Sequence, residues 1–329
     1  MNVPLWVWIL TIGLTTVLLL VDVVVIGRRP HVPSMGEAGR HLAFFVGTAI
    51  LFGVGVWYFS GADYAAQYYA GWLTEYSLSI DNLFVFIIIM AKFGVPEKLQ
   101  QTALMVGIVI ALILRGIFIA VGAAAINQFS WIFYAFGAFL IYTAFKLARE
   151  GNNDDDEFEE NGFLKWVEGR FPATNQWHGT KLMIKADGSR IITPMFIVIL
   201  ALGTTDLLFA LDSIPAIFGL TQEPFLVLTA NIFALMGLRQ LYFLIGGLLK
   251  RLVYLGIGLA ILLAFIGVKL ILHAAHVNEL PFINGGKPVL GAPDISIGQS
   301  LTVIVAILSI TTIASLIKSR KDKSAIEVR

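Results

Sequence analysis

The chain has 329 residues, of which 57% are hydrophobic and only 14% charged, with a mean hydropathy of +0.82. Soluble domains carry about 25% charged residues, so this composition excludes a soluble globular fold and points to an all-α polytopic membrane protein. The absence of cysteine excludes disulfides, thiolate metal sites and cysteine nucleophiles, and the net charge of +1 says nothing of partners because the charges are strongly segregated.

In chain order, nine apolar runs of about 20 residues are predicted to span the bilayer: 5–26, 40–60, 72–91, 102–124, 129–147, 194–219, 225–249, 252–273 and 298–317. No Lys or Arg precedes the first run, so it is expected to remain as a span and not to act as a cleaved signal peptide. With the N-terminus outside, nineteen of the 23 Lys and Arg residues fall on the cytoplasmic side. Lys287 alone falls outside, and Arg115, Arg239 and Lys269 fall within spans. This partition predicts an N-out, C-in orientation in a plasma (inner) membrane.

The chain therefore reads as one membrane domain over 1–329. Within it lie a first repeat (72–148), a cytoplasmic loop (149–193), a second repeat (194–273), an outer loop (274–297), a last span (298–317) and a basic tail (318–329). In the cytoplasmic loop, NDDDEFEE (153–160) reads as a solvated linker, with a cation-attracting vestibule as the other reading. FLKWVEGRF (163–171) is expected as an amphipathic surface helix, and KLMIKADGSRIIT (181–193) as a hairpin around Asp187-Gly188. The outer loop is rich in Pro and Gly and carries no readable motif.

Two segments carry acids into the membrane. EYSLSIDNLFVF (75–86) and DLLFALDSIPA (206–216) each place an acid, a second acid six residues on, and a polar residue next to it. Glu75 thus matches Asp206, Asp81 matches Asp212, and Asn82 matches Ser213. Each carboxylate at the bilayer centre costs about 2.5–3.5 kcal/mol on insertion scales unless something positive meets it. The echo continues through GIVIALILR, ending at Arg115, and NIFALMGLR, which holds Asn231 and ends at Arg239. The third spans end in YTAFK, at Lys146, and FIGVK, at Lys269. Spans 3–5 therefore resemble spans 6–8, and an odd number of spans per unit makes the second unit inverted.

The intramembrane inventory is Asp22, Glu75, Asp81, Asp206 and Asp212 against Arg115, Arg239 and Lys269. The balance is negative and favours a bound cation. The ligands would be hard oxygens from Glu75, Asp81, Asp206 and Asp212, supported by Asn82, Ser213 and Asn231, which suits Mn²⁺, Ca²⁺ or Mg²⁺ over Zn²⁺ or Cu⁺. Arg115 and Arg239 are expected to pair with the acids, and Asp22 either lines the pathway or snorkels to water. A spacing of six turns the two acids of each segment about 120° apart on a straight helix. Gly203-Thr204-Thr205 and Pro215 suggest a broken helix that would bring both acids to one cavity. The bland alternatives are structural Asp–Arg bridges, Asn231 as an interhelical hydrogen bond, and Lys146 and Lys269 as interfacial anchors.

At EYSLSIDNLFVF (75–86), ALGTTDLLFALDSIPAIF (201–218), TANIFALMGLRQLYFL (229–244) and GVK (267–269), the chain resembles the TerC/Alx family of integral membrane proteins, from about residue 5 to 318. The resemblance implies metal-ion homeostasis, with members linked to Mn²⁺ efflux, to supplying Mn²⁺ to exported proteins and, by name, to tellurite resistance. By motif it carries over to Asp81-Asn82 and Asp212-Ser213, with Glu75 and Asp206 beside them; the acidic linker and the outer loop lie outside the shared pattern.

The expected function is a divalent-cation transporter exporting Mn²⁺ (Ca²⁺ as second choice), with protons as counter-ion and no permanently bound cofactor. The alternative is a metal-binding accessory that delivers Mn²⁺ to exported proteins or joins a secretion or resistance complex. An intramembrane aspartyl protease is a third class, but GTTD precedes its first acid where GxGD is needed, so no enzyme is expected. Nor is a nucleic-acid partner.

Overall fold

The computed structural model describes all residues except 2, 29–32, 130, 151–163, 165, 167–168, 187–188, 246–253, 290–292, 294 and 328–329; the side chains of Asp22 and Asp81 also lie outside the description. In chain order the described elements begin with α1 (Leu5–Arg28), α2 (Met35–Ser60), α3 (Ala62–Lys92), α4 (Glu97–Gln128) and α5 (Ile132–Glu150). A two-stranded hairpin follows, β1 (Met183–Ala186) and β2 (Ser189–Ile192). Then come α6 (Pro194–Phe218), α7 (Pro224–Met236), α8 (Leu238–Ile245), α9 (Leu255–His276) and α10 (Ile297–Glu327).

Eight helices are long and apolar enough to cross a membrane, with α7 and α8 counted together over Pro224–Leu244. The 24-residue α1 is a ninth apolar helix, about 36 Å long at 1.5 Å per residue. The chain is thus an integral, multi-pass, all-helical membrane protein. Its outer helices α1, α2 and α10 leave large apolar side chains such as Leu5, Leu51, Phe59 and Ile310 exposed. In lipid that is the favourable arrangement, because the backbone bonds are all satisfied inside each helix and the outward face needs only hydrocarbon.

The helices start and stop where local chemistry requires. Ser34 accepts from the Glu37 N–H to cap α2, and Thr193 accepts from the Phe196 N–H to cap α6, with Pro194 at its first turn. Gly61, at φ +100°, makes the corner between α2 and α3 in a conformation that a side chain would oppose. Side-chain contacts sort the two ends of the bundle. At one end Thr221 donates to Gln67, Tyr134 to Asn278, and Lys269 to Ser300. At the other, Tyr242 donates to Gln100, and Leu164 and Ile192 pack with Phe86, Ile89 and Met195.

The tightest crossing lies between α5 and α9. A Cβ on Gly137 would sit 2.7 Å from the Gly267 carbonyl oxygen, and one on Gly267 would sit 2.9 Å from the Gly137 oxygen. Ile271 packs on Gly137 as Ile141 packs on Gly267. The contact is reciprocal, and it pairs GAFLI (137–141) with GVKLI (267–271). This differs from the alignment of Lys146 with Lys269 expected from the sequence.

Other expectations also change. α3 begins at Ala62 and not at 72, because its first turns carry Asp63 and Gln67 at the polar end of the bundle and need not be apolar. No break occurs at Gly203-Thr204-Thr205, since α6 is continuous from Pro194 to Phe218. The Thr204 hydroxyl is satisfied within the helix by the Leu200 and Ala201 carbonyls at 2.8 and 3.2 Å. Gly203 serves packing, with Ile110 3.2 Å from where its Cβ would lie. The seventh predicted span is the interrupted one, ending α7 at Met236 and resuming as α8 after Gly237, which packs near Leu42 and Tyr76. Lys269 is buried and donates to the Ser300 hydroxyl at 2.9 Å. The acidic linker 153–160 lies outside the described residues, as do 163, 165, 167 and 168 of the expected surface helix 163–171. The hairpin pairs Ala186 with Ser189 on either side of Asp187-Gly188.

Gly137→Leu or Gly267→Leu should destabilise the bundle by about 1–3 kcal/mol or more through overpacking. Gly116→Leu, where a Cβ would meet nothing within 4 Å, should be neutral. Melting temperatures of the purified variants in one detergent would check the contrast.

Candidate metal-transport site

The site forms where α3, α4, α6 and α7 converge. Arg115 on α4 is 1% exposed, Glu75 on α3 is 0% and Asp206 on α6 is 1%. The guanidinium grips Asp206 side-on: Nε donates to Oδ2 at 2.9 Å and Nη2 to Oδ1 at 3.2 Å. Its Nη1 donates to Glu75 Oε1, to the Ser213 hydroxyl at 3.1 Å and to Asn231 Oδ1 at 3.0 Å. Ser79 donates to Glu75 Oε1 at 3.4 Å, and the Asn231 amide is anchored by its donation to the Val227 carbonyl at 3.0 Å.

Helical periodicity explains this membership. Asp206 and Ser213 are seven apart and share a face of α6; Glu75 and Ser79 are four apart and share a face of α3. An arginine suits the junction because its planar fork reaches several acceptors at once and stays charged at any ordinary pH. With both carboxylates ionised, two negative charges meet one positive charge in a buried space. Glu75 Oε2 has no hydrogen-bond partner in the structure.

Asp212 lies elsewhere. As the six-residue spacing requires on an unbroken helix, it leaves the Asp206 face and turns toward α5, where Thr143 donates to its Oδ1 at 3.2 Å. It lines a cleft of about 180 Å³ with Asn82, Thr143 and Lys146 among apolar neighbours. The structure therefore divides the expected ligand set. Glu75, Asp206, Ser213 and Asn231 come together; Asp212 and Asn82 form a separate group, so the single cavity expected from the sequence is replaced by two places. The carboxylates of the first are bonded to Arg115 and not to Arg239, which is buried on α8. The side chains of Asp81 and Asp22 lie outside the described residues. Among those residues no group of three or more His, Cys, Asp or Glu side chains is gathered.

Sequence reasoning missed Thr143 and undervalued Lys146. The available signal was spacing: Thr143 and Lys146 are three apart on α5, a polar stripe following the apolar run of its first half.

Residues 60–323 match a family model described as the integral membrane protein TerC family. An uncharacterised membrane protein of Mycobacterium tuberculosis is 50% identical over 317 residues, covering 95% of this chain and 80% of the relative. An uncharacterised membrane protein of Myxococcus xanthus is 37% identical over 313 residues, covering 95% and 92%. A protein of Escherichia coli O6:H1, named as a candidate membrane-bound redox modulator, Alx, is 34% identical over 322 residues, covering 95% of each. No solved structure matches the chain.

Arg115→Met should be strongly destabilising, by about 3–5 kcal/mol, because it strands two buried carboxylates. Combining it with Glu75→Gln and Asp206→Asn should recover most of that loss. Thermal unfolding of the single and triple variants would test this, and equal instability of the two would contradict it.

Proposed function

Since the chain belongs to the integral membrane protein TerC family, we propose that it carries divalent metal ions across the bilayer, with Mn²⁺ leaving the cytoplasm as the principal cargo. The observation that carries this reading is the meeting of Glu75 and Asp206, from different spans, around one guanidinium at Arg115. An excess of buried carboxylate is costly in a bilayer and calls for a cation. The oxygens available are hard, which suits Mn²⁺ and, after it, Ca²⁺.

In this reading Arg115 holds the acids apart from one another and together as a unit when cargo is absent. Glu75 Oε2, which accepts no hydrogen bond, is the atom at which a cation or a proton is received. Glu75 belongs to the first three-helix unit and Asp206 to the second. Rocking of the two units in opposite senses about the Gly137–Gly267 crossing would open the acids alternately to either side. The reciprocal contact at that crossing supports the inverted repeat, and the distribution of Lys and Arg supports an N-out, C-in orientation.

Export has an energetic requirement. Moving two positive charges outward against an inside-negative potential costs about 4.6 kcal/mol per 100 mV. Exchange for protons would supply it, because a proton and a metal ion compete for the same carboxylate. The redox role in the name of some relatives fits the same cargo. This chain has no cysteine and so performs no thiol–disulfide exchange of its own; control over a redox-active metal such as manganese is a route open to it.

Purified protein in liposomes should move ⁵⁴Mn²⁺ down an imposed, opposed pH gradient. Glu75→Gln and Asp206→Asn should each lower the rate at least tenfold while leaving the protein folded. Flux indifferent to the pH gradient would remove the proton coupling. Metal binding without any flux would make the chain a metal-holding accessory instead.

A further inference from the structure

The two acid groups differ in how their positive partner is held. Arg115 is buried and bonded to Glu75, Asp206, Ser213 and Asn231, so its fork bridges the two carboxylates. At Asp212 the carboxylate is half-buried and faces an open volume of about 180 Å³. That is about six water volumes, taking about 30 Å³ each, enough for a partly hydrated cation. Three kinds of hard oxygen border the space: the Asp212 carboxylate, the Asn82 amide and the Thr143 hydroxyl. Thr143 fixes the carboxylate through its 3.2 Å hydrogen bond. The remaining neighbours Leu78, Leu147, Phe209, Leu259 and Leu263 are apolar, so charges inside the cleft are poorly screened.

Lys146 lines the same cleft and its charge acts on Asp212. Its side chain is exposed, it stands near the end of α5 at Glu150, and a flexible four-carbon stem lets the ammonium swing toward the membrane surface. A compact ammonium on a flexible stem can yield its place to a metal ion.

We propose that the Asp212 cleft is the station where the transported cation is exchanged, and that the Lys146 ammonium is the resident placeholder the cation displaces. Lys146 thereby sets the affinity of the station: it weakens binding and hastens release. The inference rests on the cation-transport reading, and adds to it a second place, distinct from the Arg115 cluster, and a residue that acts by competing with cargo.

The test measures ⁵⁴Mn²⁺ binding to the full chain by equilibrium dialysis in detergent. Lys146→Met should bind at least tenfold more tightly than the parent, Lys146→Arg should stay near the parent, and Asp212→Asn should lose the binding. The chain has no native cysteine, which allows a second measurement. In Lys146→Cys, a methanethiosulfonate reagent carrying an ammonium restores a positive side chain, whereas its methyl analogue adds none. The ammonium reagent should weaken Mn²⁺ binding at least tenfold relative to the methyl reagent, and Mn²⁺ should slow its reaction. Unchanged or weaker binding in Lys146→Met, with equal effects of the two reagents, would make Lys146 an interfacial anchor and overturn the inference. Binding that is lost in Asp206→Asn but kept in Asp212→Asn would overturn it while leaving the transport reading standing. No Mn²⁺ or Ca²⁺ bound by any chain, the parent included, would remove both.

Discussion

A carboxylate inside a bilayer must meet a positive charge, and the architecture of this protein follows from that requirement. Glu75 and Asp206 are fully buried, and both close on Arg115. The arginine reaches them only because α3, α4 and α6 cross near one level and α7 brings Asn231 as a further acceptor. Breaking a buried ion cluster by removing one partner costs far more than the net stability the intact cluster contributes.

The second acid group solves the same problem differently. Asp212 lies at an open cleft, its charge met by a nearby lysine and by the Thr143 hydroxyl. One group closes on a buried guanidinium; the other borders an open cleft that Lys146 lines. Neither group contains a thiolate, because the chain has no cysteine.

The scaffold around these sites relies on close helix approach. In lipid no hydrophobic drive separates helix–helix from helix–lipid contact, so tight packing of small residues holds the bundle together. Gly137 and Gly267 let α5 and α9 touch backbone to backbone. Gly107 admits Leu202 to the α4–α6 contact in the same way, at 3.2 Å from where its Cβ would lie.

Much of this was legible in the sequence. Apolar runs of bilayer length located the spans, since backbone hydrogen bonding in lipid permits little besides helices. The repeated acids singled out Glu75 and Asp206, and the i, i+7 spacing already placed Ser213 beside Asp206. The angular separation of Asp206 from Asp212 was readable too, but Gly203-Thr204-Thr205 and Pro215 suggested a break that would cancel it. The helix stays whole because the threonine hydroxyl bonds within its own turn and the glycine is used for packing. What only the tertiary structure decided was partnership: that Arg115 binds Glu75 and Asp206, that Asn231 joins them, and that Thr143 and Lys146 border the Asp212 cleft. Periodicity specifies the face of a helix on which a residue lies, whereas the neighbour that face meets depends on how distant spans cross, and that is set by packing between segments many residues apart.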